Sequence, residues 1–218
     1  MLTPDFAVLL LVLLGLVFSL VVHECAHAIV AWWCGDDTAR LLGRITLNPV
    51  PHIDPFMSIL LPAAMLLMSN GQMAFGGAKP VPVNPYNLRR PRRDMMLVAL
   101  AGPASNVALA FAFATLANAI LLLRADREFT VALLKVLFGI VNLNVVLAFF
   151  NLIPVPPLDG SRVLSYFLPS DLAHSMARLE RYGMLIVGVL VLSGATSQLL
   201  WPVTGVTEWI WKTMIFLR

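Results

Sequence analysis

Residues 6–33 read FAVLLLVLLGLVFSLVVHECAHAIVAWW, an apolar run long enough to cross a lipid bilayer as one helix. Near its end, HECAH at residues 23–27 fits the HExxH pattern, in which two histidines four residues apart share one helix face. His23 and His27 can therefore bind one Zn²⁺, and Glu24 can act as the general base. Ionisable side chains in the hydrocarbon cost about 2.5–3.5 kcal/mol each, so packing does not readily explain them. The run predicts a hydrolytic metal site inside a membrane.

Composition independently predicts an all-α polytopic membrane protein. Of the 218 residues, 59% are hydrophobic and only 12% are charged. We find no internal repeat or linker and expect a single domain over residues 1–218. The net charge of +3 is modest and resides in short loops, which suits membrane orientation and shows no nucleic-acid signature. Cys25 and Cys34 form no CxxC motif, so we expect small apolar fillers.

Apolar length predicts about four long transmembrane helices, at residues 5–34, 95–123, 130–150 and 181–200. No Lys or Arg precedes the first run, which favours a retained helix over a cleaved signal peptide. Residues 56–69 are apolar but short and contain Pro62. Residues 203–218 form a C-terminal apolar helix that is either a partial span or an interfacial helix.

A zinc ion held by two histidines needs a third protein ligand, and Asp159 is the best candidate. It lies in NLIPVPPLDG, residues 151–160, directly after the third predicted span. The prolines impose a non-helical path, which at membrane depth is tolerated only when it is buried in protein or lines a cavity. An ordinary loop with a helix-capping Asp explains this segment equally well.

Several motifs in order resemble the site-2 protease family of intramembrane zinc metalloproteases. HECAH lies in an early helix, AGPASN at residues 101–106 in a middle helix, and NLIPVPPLDG after the next. GRITLNPVPHIDP at 43–55 and GGAKPVPVNPYNLRRPRRDM at 76–95 resemble the compact prokaryotic branch. The resemblance implies hydrolysis of peptide bonds in or near transmembrane segments of membrane proteins, in a prokaryotic plasma membrane.

The resemblance also implies roles for individual residues. His23, His27 and Asp159 correspond to the ligands of one Zn²⁺ per chain, and Glu24 corresponds to the catalytic base. Asn151 and Asn106 correspond to asparagines that would contact the substrate. Hydrogen bonding between helices is an equally good explanation for Asn106.

Helix direction gives a topology that is independent of the family. HECAH ends one helix and Asp159 follows another, so these two helices must run parallel, and the helix between them must run antiparallel. Residues 35–94 then begin and end on one side, which predicts that residues 56–69 are re-entrant. This side is cytoplasmic by the positive-inside rule, because it carries Arg40, Arg44, Lys79, Arg89, Arg90, Arg92, Arg93, Arg162, Arg178 and Arg181.

A helical substrate must unwind before hydrolysis, and small β-structured loops could hold it by β-augmentation. We expect edges at Arg44–Leu47 and at the proline-bearing Lys79–Val83. His52 is expected to structure its loop with Asp54, and His174 is expected to be exposed.

The main alternative is a membrane protein that binds metal without proteolysis, either a transporter or an inactive protease relative. A transporter would carry several intramembrane ligands along a path. Here the sequence contains one ligand cluster and an intact Glu24, which favours the protease.

Overall fold

The structure, a computed structural model, describes residues 4–68, 76–122 and 127–214. The described chain is largely helical, with irregular loops between the longer elements. Its α-helices are α1 Pro4–Trp33, α2 Thr38–Leu41, α3 Leu61–Met68, α4 Pro91–Leu122, α5 Arg127–Asn151, α6 Asp159–Phe167, α7 Ser170–Leu179, α8 Gly183–Leu192, α9 Ala195–Leu199 and α10 Trp201–Met214. A π-helical turn, Pro55–Leu60, precedes α3, and short 3-10 turns span Val50–His52, Pro85–Asn87 and Glu180–Tyr182.

Three helices are long and apolar enough to cross a membrane. They are residues Phe6–Trp33 of α1, the whole of α4 and the whole of α5. Each is longer than the roughly 20 residues that a bilayer core requires. Large apolar side chains on α1, such as Leu9 and Leu14, are exposed and suit contact with lipid. The all-α membrane architecture is therefore confirmed.

The start of α4 shows how local sequence sets a helix boundary. We predicted a start near residue 95, but α4 begins at Pro91. Proline suits the first helical position because its ring presets φ and its missing N–H is not needed there. The Asp94 carboxylate accepts a hydrogen bond from the Arg90 backbone N–H at 2.7 Å, which caps the first turn.

Reciprocal glycine contacts show that α1 and α5 run parallel. A Cβ on Gly15 would lie 2.5 Å from Ile140 Cγ1, and a Cβ on Gly139 would lie 2.7 Å from Val12 Cγ2. Each glycine therefore receives a branched side chain of the other helix. Small residues permit this close approach of transmembrane helices.

Helix α4 runs antiparallel to α1 and lies between the other elements. His27 contacts the Val98 carbonyl near the start of α4. His23 lies one turn earlier in α1 and contacts Asn106, which lies two turns later in α4. The buried face of α4 carries small residues such as Ala110 and Ala114. This packing brings the end of α1 against the middle of α4.

The fourth predicted span, residues 181–200, is not confirmed as one long helix. The apolar stretch is divided into α8 and α9, and Gly194 between them has a left-handed φ of +73°. Glycine adopts that conformation without steric cost, so the helix ends there although apolar residues continue. Helix α10 then packs Val203 and Ile210 into the cluster formed by α4 and α5.

The loops expected to be β-structured contain no strand among the residues described here. The two predicted edges nevertheless meet. The Arg44 guanidinium donates to the Lys79 carbonyl at 2.5 Å, and Ile45 and Val83 both pack against the buried cluster that contains Val81. Two prolines in Lys79–Val83 lack N–H groups, which limits regular pairing.

Residues 55–68 are helical and shorter than a span, so the structure leaves their re-entrant path a prediction. The described residues do not include residue 69 of the predicted re-entrant segment, residue 123 of the predicted span 95–123, or residues 215–218 of the C-terminal segment.

Candidate active site

Three side chains, far apart in sequence, converge where α1, α4 and α6 meet. His23 Nε2 and His27 Nε2 lie 3.0 Å apart. Asp159 Oδ2 lies 3.2 Å from the first and 3.3 Å from the second. The three residues are only 5%, 8% and 9% exposed. The structure therefore brings together the three predicted ligands, and this group can hold a metal ion.

The proline-rich loop places Asp159 at the first position of α6. This requires α6 to start directly against the end of α5. A Cβ on Gly160 would lie 2.2 Å from the Leu152 carbonyl oxygen, so only glycine fits there. The Ser161 hydroxyl also donates to the Leu158 carbonyl at 2.7 Å, which holds the turn. The DG pair of the motif therefore combines a ligand with the close approach that positions it.

Hydrogen bonds at the far side of each imidazole fix its tautomer. His27 Nδ1 lies 2.6 Å from the Val98 carbonyl oxygen, and His23 Nδ1 lies 2.5 Å from Asn106 Oδ1. Both oxygens only accept, so both Nδ1 atoms carry hydrogen. The two Nε2 lone pairs are then directed at each other and at Asp159.

This geometry fits zinc. Metal binding requires an ionised Asp159 carboxylate and both Nε2 atoms without hydrogen. An ionised carboxylate and two nitrogen lone pairs this close need a positive charge between them. Ligand atoms about 2.0–2.1 Å from a tetrahedral Zn²⁺ lie about 3.3 Å from one another, close to the separations seen here.

Gly102 is a site residue to which the sequence reasoning assigned no role. A Cβ there would lie 2.4 Å from His27 Nε2 and 2.5 Å from His23 Nε2. Its lack of a side chain lets α4 approach both imidazoles. The signal was present in AGPASN, because a glycine inside a long helix indicates close packing.

Glu24 lies beside the imidazole pair and is half-buried. Its Oε2 accepts a hydrogen bond from the Val81 backbone N–H at 2.8 Å, and its charge acts on His27. The extended segment around residue 81 therefore holds this carboxylate at the edge of the site.

The two tentative substrate-contacting asparagines have different surroundings. Asn106 is fully buried, with Oδ1 at His23 and Nδ2 donating to Asn144 Oδ1 at 3.0 Å. Asn151, the last residue of α5, donates to the Leu147 carbonyl one turn earlier at 2.9 Å. Asn144 went unnoticed because a single polar residue in an apolar helix forms no motif.

The remaining histidines lie away from the three converging side chains. His52 is buried with Nε2 3.0 Å from the Thr46 carbonyl, so it structures its loop through that carbonyl. Asp54, the partner we expected for it, instead accepts from Phe56 N. His174 is exposed. Within the described ranges, His23, His27 and Asp159 form the one group of three or more His, Cys, Asp or Glu side chains close enough to hold a metal ion.

Comparisons with known proteins agree with this site. Residues 11–194 match the model of peptidase family M50. YwhC of Bacillus subtilis strain 168, named as a zinc metalloprotease, is 41% identical over 191 residues, which are 86% of this chain and 82% of YwhC. Rip2 of Mycolicibacterium smegmatis, named likewise, is 33% identical over 196 residues, or 88% of this chain and 70% of Rip2. No solved structure matches significantly. The chain therefore belongs to peptidase family M50, the site-2 protease family, and is an intramembrane zinc metalloprotease.

Proposed function

We propose that His23, His27 and Asp159 hold the catalytic Zn²⁺ and that Glu24 is the general base. The reaction is hydrolysis of peptide bonds in or near transmembrane segments of membrane proteins. The observation that carries this proposal is the buried triangle of two Nε2 atoms and one Oδ2 with sides of 3.0, 3.2 and 3.3 Å. A structural ion pair would not require both imidazoles to direct lone pairs at the same carboxylate.

Held by His23, His27 and Asp159, a Zn²⁺ would supply Lewis acidity for the scissile carbonyl and for a water molecule. The chain supplies the proton transfers. Glu24 takes a proton from the attacking water and delivers it to the nitrogen of the leaving amine, so protons balance without a covalent enzyme intermediate. Glu24 Oε2 accepts the hydrogen bond from Val81 N–H, and Oε1 is the oxygen proposed for this transfer.

The substrate is proposed to bind in extended form beside Lys79–Val83. The N–H groups of this segment have little left to offer. Lys79 N–H donates to the His52 carbonyl, Val81 N–H donates to Glu24, and the two prolines have none. The segment would therefore receive substrate N–H groups on its carbonyls. A peptide substrate N-methylated at alternate amides beside the cleavage site should lose affinity in one register only, and equal loss in both registers would contradict this docking.

The active site is proposed to open towards the cytoplasm of a prokaryotic cell. Basic residues concentrate at the end of the bundle that carries Asp159, which the positive-inside rule assigns to the cytoplasm. The proposed re-entrant path of residues 55–68 is supported by the return of the chain to their start. Gly77 N–H donates to the Met57 carbonyl at 3.1 Å, and Ser58 Oγ donates to the Gly77 carbonyl at 2.7 Å.

A fourth crossing is proposed to consist of α8 to α10 together, as an interrupted helix. Gly183 lies against Pro157 beside the Asp159 loop, whereas Trp211 stacks near Phe138 in the first half of α5. The chain between them therefore passes from one end of the bundle towards the other within one proposed domain. A reporter enzyme that is active only in the periplasm should be active when it is fused after residue 218. Activity only of a reporter that works in the cytoplasm would contradict this path.

Cleavage of a model transmembrane peptide by purified protein in lipid tests the catalytic assignment. Glu24→Gln should abolish cleavage and retain zinc, because its amide is not basic and Glu24 is not a ligand. His23→Gln should lose both. Cleavage by Glu24→Gln at the wild-type rate would eliminate the assigned base.

A further inference from the structure

A continuous chain of polar side chains crosses the interior of the bundle. It consists of Ser19, Asn106 and Asn144, which lie on α1, α4 and α5 and are each 0% exposed. Polar groups at such depth are costly unless they are hydrogen-bonded. Ser19 Oγ donates to the Gly15 carbonyl at 2.8 Å, and Asn144 Nδ2 donates to Ser19 Oγ at 2.9 Å. Asn106 Nδ2 donates to Asn144 Oδ1 at 3.0 Å, and Asn106 Oδ1 accepts from His23 Nδ1 at 2.5 Å.

The direction of every bond in this chain is fixed at its far end. The Gly15 carbonyl only accepts, so the Ser19 hydroxyl donates to it and offers a lone pair to Asn144. The Ile140 carbonyl accepts the second Nδ2 proton of Asn144 at 2.9 Å. With both protons used, Asn144 can present only Oδ1 to the Asn106 amide.

We propose that Asn144 is a positioning residue for the metal centre, because it holds the Asn106 amide with its oxygen towards His23 and so keeps the His23 Nε2 lone pair directed at the metal site. This inference rests on the proposed metal-binding role of His23. It assigns a function to Asn144 and to its anchor Ser19, neither of which touches the metal ligands Asp159 and His27.

Such an anchor is needed because an amide is nearly symmetrical in shape. If Asn106 turned by 180°, it would present its NH₂ to His23 Nδ1. The imidazole would then accept at Nδ1 and carry its proton on Nε2. A protonated Nε2 has no lone pair with which to bind a cation. His27 needs no comparable device, since the Val98 backbone carbonyl cannot turn.

Zinc affinity, measured by chelator competition on the purified full-length protein in detergent, tests the proposal. Asn144→Leu is similar in volume and removes the acceptor that fixes Asn106. We expect it to weaken zinc binding by about 10-fold or more, the size typical of lost outer-shell partners of a metal-binding His. Absorption of the Co²⁺-loaded protein should change in parallel, because it reports ligation directly.

A second substitution distinguishes positioning from a general packing role. Asn106→Asp has oxygens at both positions, so its orientation no longer matters to His23. Adding it to Asn144→Leu should restore zinc affinity to that of Asn106→Asp alone. Thr207→Val, which removes a buried hydroxyl on α10 outside this chain, should leave zinc affinity unchanged. Unaltered zinc affinity in Asn144→Leu, or no restoration in the double variant, would overturn the proposal.

The tautomer can also be observed in the wild-type protein, whether or not Asn144→Leu folds. In metal-free protein at alkaline pH, ¹⁵N NMR should show His23 protonated on Nδ1, with its signals assigned by their loss in His23→Gln. Predominant protonation on Nε2 would contradict the proposal. If His23→Gln left zinc affinity unchanged, the metal-site assignment itself would fail, which is a different outcome from an ineffective Asn144→Leu.

Discussion

Glu24 Oε2 accepts a hydrogen bond from the backbone N–H of Val81 at 2.8 Å, although 57 residues separate them. This bond joins the proposed base to the segment proposed to hold the substrate. A substrate lying along that segment is therefore positioned relative to Glu24 by the same backbone that restrains its carboxylate.

Val81→Pro should lower kcat while zinc content stays at the wild-type level. The substitution removes the N–H that restrains Glu24 and leaves the proposed ligands untouched. A hydrogen bond to a charged group contributes about 1.5–3 kcal/mol, so a decrease of roughly 10- to 100-fold is expected. Val81→Ala keeps the N–H and should show a much smaller decrease in kcat. Equal decreases in the two variants would show that the side chain matters and the hydrogen bond does not.

Gly102→Ala should abolish stable zinc binding and, with it, cleavage. Its Cβ would lie within 2.5 Å of both Nε2 atoms, so the imidazoles or α4 would have to move. Gly205→Ala on α10 is the matched control, because no heavy atom lies within 4 Å of its added Cβ. Zinc content per chain should fall only in the first variant. A zinc-replete Gly102→Ala protein would contradict the close approach of α4.

Asp36→Asn should destabilise the loops beside the active site at neutral pH. Asp36 is fully buried and accepts hydrogen bonds from Thr38, from Asn84 N–H and from Asn87 Nδ2. Burial raises the pKa of this carboxyl, but these hydrogen bonds outweigh it and the net shift is downward from 3.8.

The sign of its pH dependence follows from that depressed pKa. The folded state binds the Asp36 proton less tightly than the unfolded chain, so the stabilisation is complete above 3.8 and is lost as the pH falls through the lower folded pKa. The thermal unfolding temperature of Asp36→Asn should therefore be lower than that of the wild type at neutral pH. Below about pH 4 it should decrease less than the unfolding temperature of the wild type does. Asp37→Asn, at an exposed carboxyl paired with Arg40, should resemble wild type at both pH values. If acid lowered the unfolding temperature of Asp36→Asn and of the wild type by the same amount, this contribution of Asp36 would be excluded.

The sequence predicted the proposed catalytic residues better than the residues that support them. His23 and His27 share a local helical spacing, and Asp159 follows a long apolar helix with prolines that force a loop. Because the proposed ligands lie at the end of α1 and just after α5, these two helices had to run parallel with their ends close together. Asn144 could not be found this way, because its role depends on contacts with two other helices and leaves no local pattern.

The membrane crossings show a different limit of sequence reasoning. Hydropathy located α1, α4 and α5 because their apolar runs coincide with continuous helices. Residues 181–200 are also apolar, yet the helix ends at Leu192 and the chain turns at Gly194. Hydropathy measures burial in lipid and is insensitive to the backbone conformation of one glycine. Likewise, the prolines of Lys79–Val83 indicated an extended edge but not whether a strand forms.

X-ray absorption at the zinc edge of the zinc-loaded Glu24→Gln protein is the sharpest test of the assignment of His23, His27 and Asp159 as zinc ligands. We expect a first shell of nitrogen and oxygen only, at about 2.0–2.1 Å, with the outer-shell scattering of two imidazoles. Adding Asp159→Ala should change this shell. A sulfur ligand near 2.3 Å, the distance typical of a cysteine such as Cys25, or the same shell without Asp159, would contradict this assignment.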